Sequence, residues 1–325
     1  LGDVYKRQVD GKHWTDAHFP NNMKVSKDQA YTILSAASHS IFMHVTTNTR
    51  AGTEFGHILK SNSNGTSYVV TASNVNRNSA GFVDFEQLAD LEGIAIINTV
   101  SNADDAKRGS RKALKSMITH NDGADWDYLQ PPSVDSNGKK YECTGGSINE
   151  CSLHLHGFTE RADPRDTFSS GSAIGMMIGV GNVGDKLGAY LDGSTFLTRD
   201  GGVTWKEVKK GVYQWEYGDQ GSIIVLVNGQ DSTNIISYSL DEGKSWSDYQ
   251  FTDDLVKVND ISTVPSDDSK KFLLFTKLPS NRGDKSTVYQ VDFSQLLKRK
   301  CNLDLKNPDT DDFDLWSPKH PHQPD

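Results

Sequence analysis

Thr198–Trp205 reads T-R-D-G-G-V-T-W and Ser239–Trp246 reads S-L-D-E-G-K-S-W, and both fit S/T-x-D-x-G-x-S/T-W in full. A looser copy, T-H-N-D-G-A-D-W, runs Thr119–Trp126 with Asn121 in the acidic place. A weaker one, S-N-S-N-G-T-S-Y, runs Ser61–Tyr68, with Ser63 for the acid and Tyr68 for the indole. Near the start only Gly11 and Trp14 of the pattern remain. Such a segment predicts a tight turn between strands. Asp200 or Asp241 accepts hydrogen bonds from amides of its own turn. Gly202 or Gly243 takes a positive φ without steric cost, and Trp205 or Trp246 anchors the turn in apolar surface. The copies share only one acidic position, too few for a calcium site or a catalytic carboxylate pair. These Asp-box residues are therefore scaffold.

Their spacing gives the architecture. Gly202 and Gly243 are 41 residues apart, and Gly123 and Gly202 are 79 apart, close to two such periods. Gly65 and Gly123 are 58 apart, one period plus an insertion. A period near 40 residues carrying short strands is the signature of a β-propeller with one four-stranded blade per repeat. One repeat shows the blade outright: strands over Val212–Tyr217, Ser222–Val227, Ile235–Ser239 and Ser245–Phe251, with turn residues between each pair. The fold class is all-β.

Composition narrows the partners. The chain has 34 Lys+Arg against 43 Asp+Glu, a formal net charge of −9, which argues against a nucleic-acid partner. The basic clusters, Lys107–Lys112 with Lys115 and Lys298–Lys300, read as solvated surface. No apolar run reaches the roughly 18 residues of a membrane span. The chain opens on Leu1 with no signal-peptide pattern, so it reads as part of a longer protein, and Leu1–Gln8 resembles no blade strand. Of the three cysteines, Cys143 and Cys151 bracket T-G-G-S-I-N-E, a loop short enough for a hairpin disulfide; two free buried thiols are the alternative. Cys301 is left without a partner in this chain. Asn64-Gly65-Thr66 is an N-glycosylation acceptor, consistent with an oxidising lumen.

Several segments carry a family resemblance. C-S-L-H-L-H-G (Cys151–Gly157), G-N-V-G-D (Gly181–Asp185), the two full boxes and G-S-I-I-V (Gly221–Val225) resemble the sortilin and vacuolar-protein-sorting receptor family. D-F-E-Q-L-A-D-L-E-G-I-A-I (Asp84–Ile96) and V-D-F-S-Q-L-L-K-R-K-C (Val291–Cys301) extend it, and Asn74–Glu86 is most like the fungal receptors that sort vacuolar carboxypeptidase. The resemblance implies a ten-bladed propeller, of which residues 1–300 would hold the C-terminal five or six blades. Cys301 would begin a small cysteine-rich module over residues 301–325. It implies a non-enzymatic type I membrane receptor, without cofactor, that carries soluble hydrolases from the late Golgi to endosomes or the vacuole. Its partners are then protein or peptide cargo and, through a segment absent from this chain, the membrane. In animal relatives a peptide tail binds inside the tunnel with its carboxylate on an Arg. Arg77, ahead of the D-F-x-x-hydrophobic segment, is the matching position.

Other motifs have plainer readings. Gly179-Val-Gly181-Asn-Val-Gly184 matches G-x-G-x-x-G, but no helix can start there, so a turn between strands is expected. His154 and His156 alternate on a strand without a third metal ligand at useful spacing, so hydrogen bonding between blades is expected and no metal. The acidic run Asp309–Asp314 lacks the Gly and Glu of a calcium loop. The 10 histidines charge across the endosomal range, which makes cargo release on acidification an expectation. The competing class is a sialidase-like glycoside hydrolase, since such enzymes carry the same turns on propellers. That chemistry needs a carboxylate pair or a Tyr nucleophile with an Arg clamp, but no F-R-I-P-like segment precedes the first box and no set of three separated arginines stands out.

Overall fold

The computed structural model describes residues 6–8, 14–21, 23, 31–35, 40–143, 146–160, 169–170, 172–264, 266–278 and 285–297. Gly11, Cys301, Lys298–Lys300, Asp309–Asp314 and the boundary expected at residue 300 lie outside these. The described chain is strands and turns, with one short helix, α1 (Ala103–Arg108), and two single 3-10 turns. It divides into two compact units. One comprises Leu1–Pro131, Tyr141–Thr167 and Gly181–Gly188; the other comprises Pro132–Lys140, Phe168–Val180 and Ala189–Asp325.

The repeated element is a four-stranded antiparallel meander, the blade of a β-propeller. In the first unit, β1 (Lys6–Gln8) pairs with β2 (Trp14–Asp16), so part of the opening segment is strand after all. Next comes β3 (Tyr31–Ser35), β4 (Phe42–Asn48), β5 (Phe55–Ser61) and β6 (Tyr68–Asn76), then β7 (Phe85–Gln87), β8 (Ala95–Val100), β9 (Leu114–Thr119) and β10 (Asp127–Tyr128). These two meanders are joined into one sheet by the pair Val75↔Thr99 between β6 and β8. A four-stranded sheet follows, of β11 (Ser152–Leu155), β12 (Met177–Gly184), β13 (Ser194–Thr198) and β14 (Lys206–Lys209). The second unit continues with β15 (Tyr213–Gly218), β16 (Ile223–Asn228), β17 (Ile235–Ser239) and β18 (Ser247–Gln250), within a residue or two of the limits expected from sequence. It ends in a three-stranded sheet of β19 (Lys257–Ser262), β20 (Lys271–Lys277) and β21 (Ser286–Asp292).

Each box connects the third strand of a meander to the fourth, and its polar contacts repeat. Asp200 Oδ1 accepts the Thr204 amide at 2.9 Å and the Thr198 hydroxyl at 2.8 Å, while Oδ2 accepts the Thr204 hydroxyl at 2.6 Å. Asp241 does the same with Ser245 (2.9 and 2.6 Å) and Ser239 (2.7 Å). In the third copy Asn121 Oδ1 accepts the Asp125 amide at 2.9 Å, and its Nδ2 donates to Asp125 Oδ2 at 3.0 Å. Here an amide replaces the carboxylate and a carboxylate replaces the hydroxyl of the full boxes, and the bond to the amide four residues ahead is kept. The weak copy differs from expectation. Asn62, not Ser63, is its anchor, its Oδ1 accepting the amides of Thr66 (2.9 Å) and Ser67 (3.2 Å).

Two of the boxes also dock their meander on the preceding one. Gly123 and Gly243 have φ of 79° and 82°, and a Cβ at either would collide, with Thr71 and Phe42 in one case and Leu197 in the other. Beside them Trp126 packs on the β4–β6 core around Phe42, Ile58 and Ala72 and donates to Thr71 Oγ1 at 3.1 Å. Trp246 joins the core of Ile178, Leu197 and Ile224. Trp205 is buried, its indole N–H on Gly202 O at 3.1 Å. The residue before the glycine is also left-handed: Asp122 (φ 59°) and Glu242 (φ 60°). Each aims a carboxylate at a cation of the preceding sheet, Asp122 at Lys60 and Glu242 at Arg199, 3.8 Å away.

The G-x-G-x-x-G segment is not a turn. It lies inside β12, and Gly181 faces Leu155 of β11 so closely that a Cβ would overlap His154 O. The basic cluster is likewise not all solvated surface. Lys107 and Arg108 pair with Asp104 and Asp105 on α1, whereas the Lys112 ammonium is drawn into the first unit.

Asp200→Ala removes an acceptor from three donors and is expected to cost about 1–3 kcal/mol. Asp200→Asn, which has a precedent at Asn121, should cost less than half of that. Denaturant midpoints of the two variants check this, and equal losses would overturn the account of the turn.

Candidate functional site

Arg77 follows the last residue of β6, where an eight-residue link leads into the next meander. The link folds on Asn78, whose backbone amide donates to the Phe82 carbonyl and whose Oδ1 accepts the Phe82 amide, each at 3.0 Å. A bridge between Arg77 and Val83 closes the loop. Arg77 is 6 % exposed, and its guanidinium donates from Nη1 to Thr32 Oγ1 at 2.6 Å. Burial pushes its pKa down, and the Glu54 carboxylate opposes that shift. Lys112 reaches the same place: its Nζ donates to Glu54 O at 3.0 Å and to Arg77 O at 2.9 Å. Burial lowers the Lys112 pKa as well, against the pull of Glu54, Asp84 and Glu160. Phe82, in the same link as Arg77, is exposed.

Behind the loop lies a polar cluster that sequence reasoning did not find. Asp84, 2 % exposed, accepts from Asn76 Nδ2 (2.7 Å), Asn98 Nδ2 (3.2 Å), and both the amide (2.8 Å) and the hydroxyl (3.1 Å) of Thr159. Burial raises its pKa, and these donors hold it back. Asn98 also donates to Leu155 O at 3.0 Å, so β6, the link, β8 and the C-S-L-H-L-H-G strand meet at one carboxyl group. The only advance signal was that Asp84 opens D-F-E-Q-L-A-D and Thr159 follows C-S-L-H-L-H-G.

The remaining sequence-derived residues do not converge. Asn121, Asp200, Gly202, Trp205, Asp241, Gly243 and Trp246 serve separate turns. Cys143 and Cys151 form a disulfide, closing the link between β10 and β11. Asn64 is exposed at the tip of the β5–β6 turn. His154 Nδ1 accepts the Ser116 amide at 3.0 Å, and Nε2 lies 3.2 Å from Gly184 O and from Ser152 Oγ. His156 Nδ1 pairs with Glu160. Among the described residues no group of three or more His, Cys, Asp or Glu side chains could hold a metal.

Two imidazoles are held neutral. His44 is fully buried, with Nε2 3.2 Å from Val75 O. Burial lowers its pKa to about 3, and that of His154 to about 4, with their carbonyl hydrogen bonds opposing the shift.

The family model described as sortilin, neurotensin receptor 3, matches residues 6–261, and its C-terminal companion matches residues 263–325. Vacuolar protein sorting/targeting protein 10 of Debaryomyces hansenii is 56 % identical over 320 residues, 98 % of this chain and 20 % of that protein. The Candida dubliniensis protein of the same name is 55 % identical over 318 residues, 97 % of this chain and 20 % of its own length. The chain thus spans about a fifth of these relatives. Among solved structures, an ancestral GH74 enzyme is similar at a TM-score of 0.36 and 13 % identity, over 86 % of this chain and 34 % of that one.

The histidines set a pH dependence whose sign is fixed. The unfolded chain takes up protons below its ordinary histidine pKa of 6.5, while His44 and His154 stay neutral in the fold until about 3 and 4. Their stability contribution is complete above pH 6.5 and is lost as the pH falls from there, by about 1.4 kcal/mol per pH unit for each group. Urea midpoints between pH 7.5 and 5 should fall accordingly, and His44→Leu should flatten the slope by one proton.

Proposed function

The chain belongs to the sortilin family, and we propose that it is the cargo-binding luminal part of a sorting receptor without enzymatic activity. The match of residues 6–261 to the family model is the observation that carries this reading. In the same reading the whole receptor is a type I membrane protein that cycles between late Golgi and endosome or vacuole. Its cargo is soluble hydrolases such as carboxypeptidase. An oxidising lumen suits the Cys143–Cys151 disulfide and the exposed Asn64 acceptor.

Arg77 and Lys112 are the proposed cargo contacts. Two cations sit in one loop region where burial lowers the pKa of each, and a carboxylate brought there gains charge-assisted hydrogen bonds. Thr32 holds the guanidinium in place. The buried carboxyl of Asp84 is committed to four donors, and burial raises its pKa.

Arg77→Glu in the complete luminal domain is expected to weaken cargo capture at least tenfold, about 1.4 kcal/mol. Thr32→Val, which removes only the guanidinium's partner, should lower affinity less. Unchanged affinity in Arg77→Glu with an unchanged thermal midpoint would remove Arg77 from the site. Turnover of a fluorogenic sialoside by the same domain would overturn the non-enzymatic reading.

A further inference from the structure

We propose that Asn64 carries an N-linked oligosaccharide that covers the outer edge of β6, attached before the turn around it closes. This rests on the luminal part of the functional reading, because such a group is added in the secretory lumen.

The outer strand of a meander presents backbone donors and acceptors that can recruit another chain, and charged side chains are one usual protection. β14 reads K-E-V-K and β18 reads S-D-Y-Q, so each carries charge. β6 reads Y-V-V-T-A-S-N-V-N, nine residues with none. It pairs with β8 only at Val75↔Thr99. Bulges break its register between Leu59↔Val70 and Ile58↔Ala72, and again before Gly56↔Val75. The regular stretch of open edge is therefore Tyr68–Val70, beside the β5–β6 turn. Tyr68 is taken up by Phe19, with ring centroids 5.2 Å apart, whereas Val69 is 64 % exposed. Val69 pairs with Lys60, whose ammonium reaches Asp122 of the next meander, so its exposure persists with that neighbour in place. An uncharged, β-branched edge of this kind is a site of self-association.

The sequence puts a covering group next to it. Asn64-Gly65-Thr66 is the one N-x-S/T acceptor in the chain, and it lies in the connection that leads into β6. Ser61↔Tyr68 closes that hairpin, so Val69 is the first residue past the closing pair. Asn64 is exposed at the tip, and a bulky, hydrophilic group attached there stands over the uncharged edge.

The folded turn withholds what a transferase must read. The acceptor needs the Thr66 hydroxyl as well as the Asn64 amide. In the fold Asn62 Nδ2 donates to that hydroxyl at 3.1 Å, and Asn62 Oδ1 accepts the Thr66 amide at 2.9 Å. Thr66 O in turn accepts the His18 amide at 2.7 Å. The box and the acceptor thus share Thr66, and the closed box holds it. Transfer therefore precedes closure. Asn64 Nδ2 bonds to C1 of the first N-acetylglucosamine as that carbon leaves the pyrophosphate of a lipid-linked oligosaccharide, and the proton lost from Nδ2 ends on the released pyrophosphate. The closed turn then tolerates the product, because its bonds use Asn62, Thr66 and Ser67 and leave Asn64 pointing out.

The test uses the complete luminal domain secreted from yeast. Mass spectrometry is expected to find Asn64 occupied, and Asn64→Gln should raise light scattering by the purified domain at least tenfold. Adding Val69→Lys, which returns charge to the edge, should bring scattering back to within twofold of the unaltered domain. If Asn64→Gln is instead retained in the cell, Val69→Lys must restore its secretion. A bare Asn64, an Asn64→Gln domain as soluble as its parent, or no rescue by Val69→Lys overturns the proposal. The order of events has its own readout. A Val69→Lys domain made with glycosylation blocked, then given transferase and lipid-linked oligosaccharide, should stay unmodified at Asn64 while a peptide of residues 58–70 is modified. Equal rates overturn attachment before closure. Cargo capture separates the two readings: a bare Asn64 with capture intact removes this proposal alone, and an occupied Asn64 without capture removes only the receptor.

Discussion

The structure depends on one short-range interaction, a side-chain oxygen that accepts the amide four residues ahead. In Asp200, Asp241 and Asn121 this bond lies at 2.9 Å. It holds two successive residues left-handed, which reverses the chain within the connection and brings an indole back towards the previous sheet. One such bond is worth about 1 kcal/mol net. Its larger effect is geometric, because it fixes where the tryptophan enters the neighbouring core. The Asp241 carboxylate shows how firmly it is held: burial would raise its pKa, yet donors from Ser245 and Ser239 bring it below the ordinary range. The replacement of the carboxylate by the Asn121 amide, with the 2.9 Å bond kept, shows that the acceptor matters more than its charge.

A second layer is added at the residue before the glycine. A left-handed backbone there is unfavourable for a side chain bearing a Cβ, yet Asp122 and Glu242 adopt it. In return each directs a carboxylate at a cation on the preceding sheet. Exposed pairs of this kind contribute little stability. They are better suited to selecting which surface the turn meets, since a slipped contact would separate Asp122 from Lys60 or set Glu242 away from Arg199.

This division explains what the sequence could reveal. The boxes were legible because the turn needs particular residue types at fixed spacing, and the β15–β18 meander was legible because its turns are marked by Gly, Asp and Asn. Where the marking residue moved by one place, from Ser63 to Asn62, the pattern misplaced the anchor. Gly181 misled in the opposite way: its glycine is required by the close approach of β11, not by a turn. The polar cluster was not legible at all. Asp84, Asn98, Lys112 and Thr159 are scattered over 76 positions, and only the pairing of β6 with β8 and the Asn98 hydrogen bond to β11 bring them together. Lys112 illustrates the difficulty best, because a lysine in a basic run looks solvated until two backbone carbonyls are seen to hold it.

Topology then separates scaffold from recognition. The boxes occupy the third-to-fourth connection of each meander, where any change of length would displace a tryptophan from its pocket. The links from the fourth strand of one meander to the first strand of the next carry no such constraint. Arg77 and its loop lie in the link from β6 to β7, and the Cys143–Cys151 disulfide lies in the link from β10 to β11. The 58-residue interval between Gly65 and Gly123, longer than the 41-residue period, arises from the first of these links together with α1. Insertions accumulate where the fold tolerates them, and loops held by a rigid scaffold are where binding residues can change without cost to the core. Arg77 is accordingly positioned by one strand, β3 through Thr32, and by two connections, through Glu54 and Lys112, and by none of the boxes.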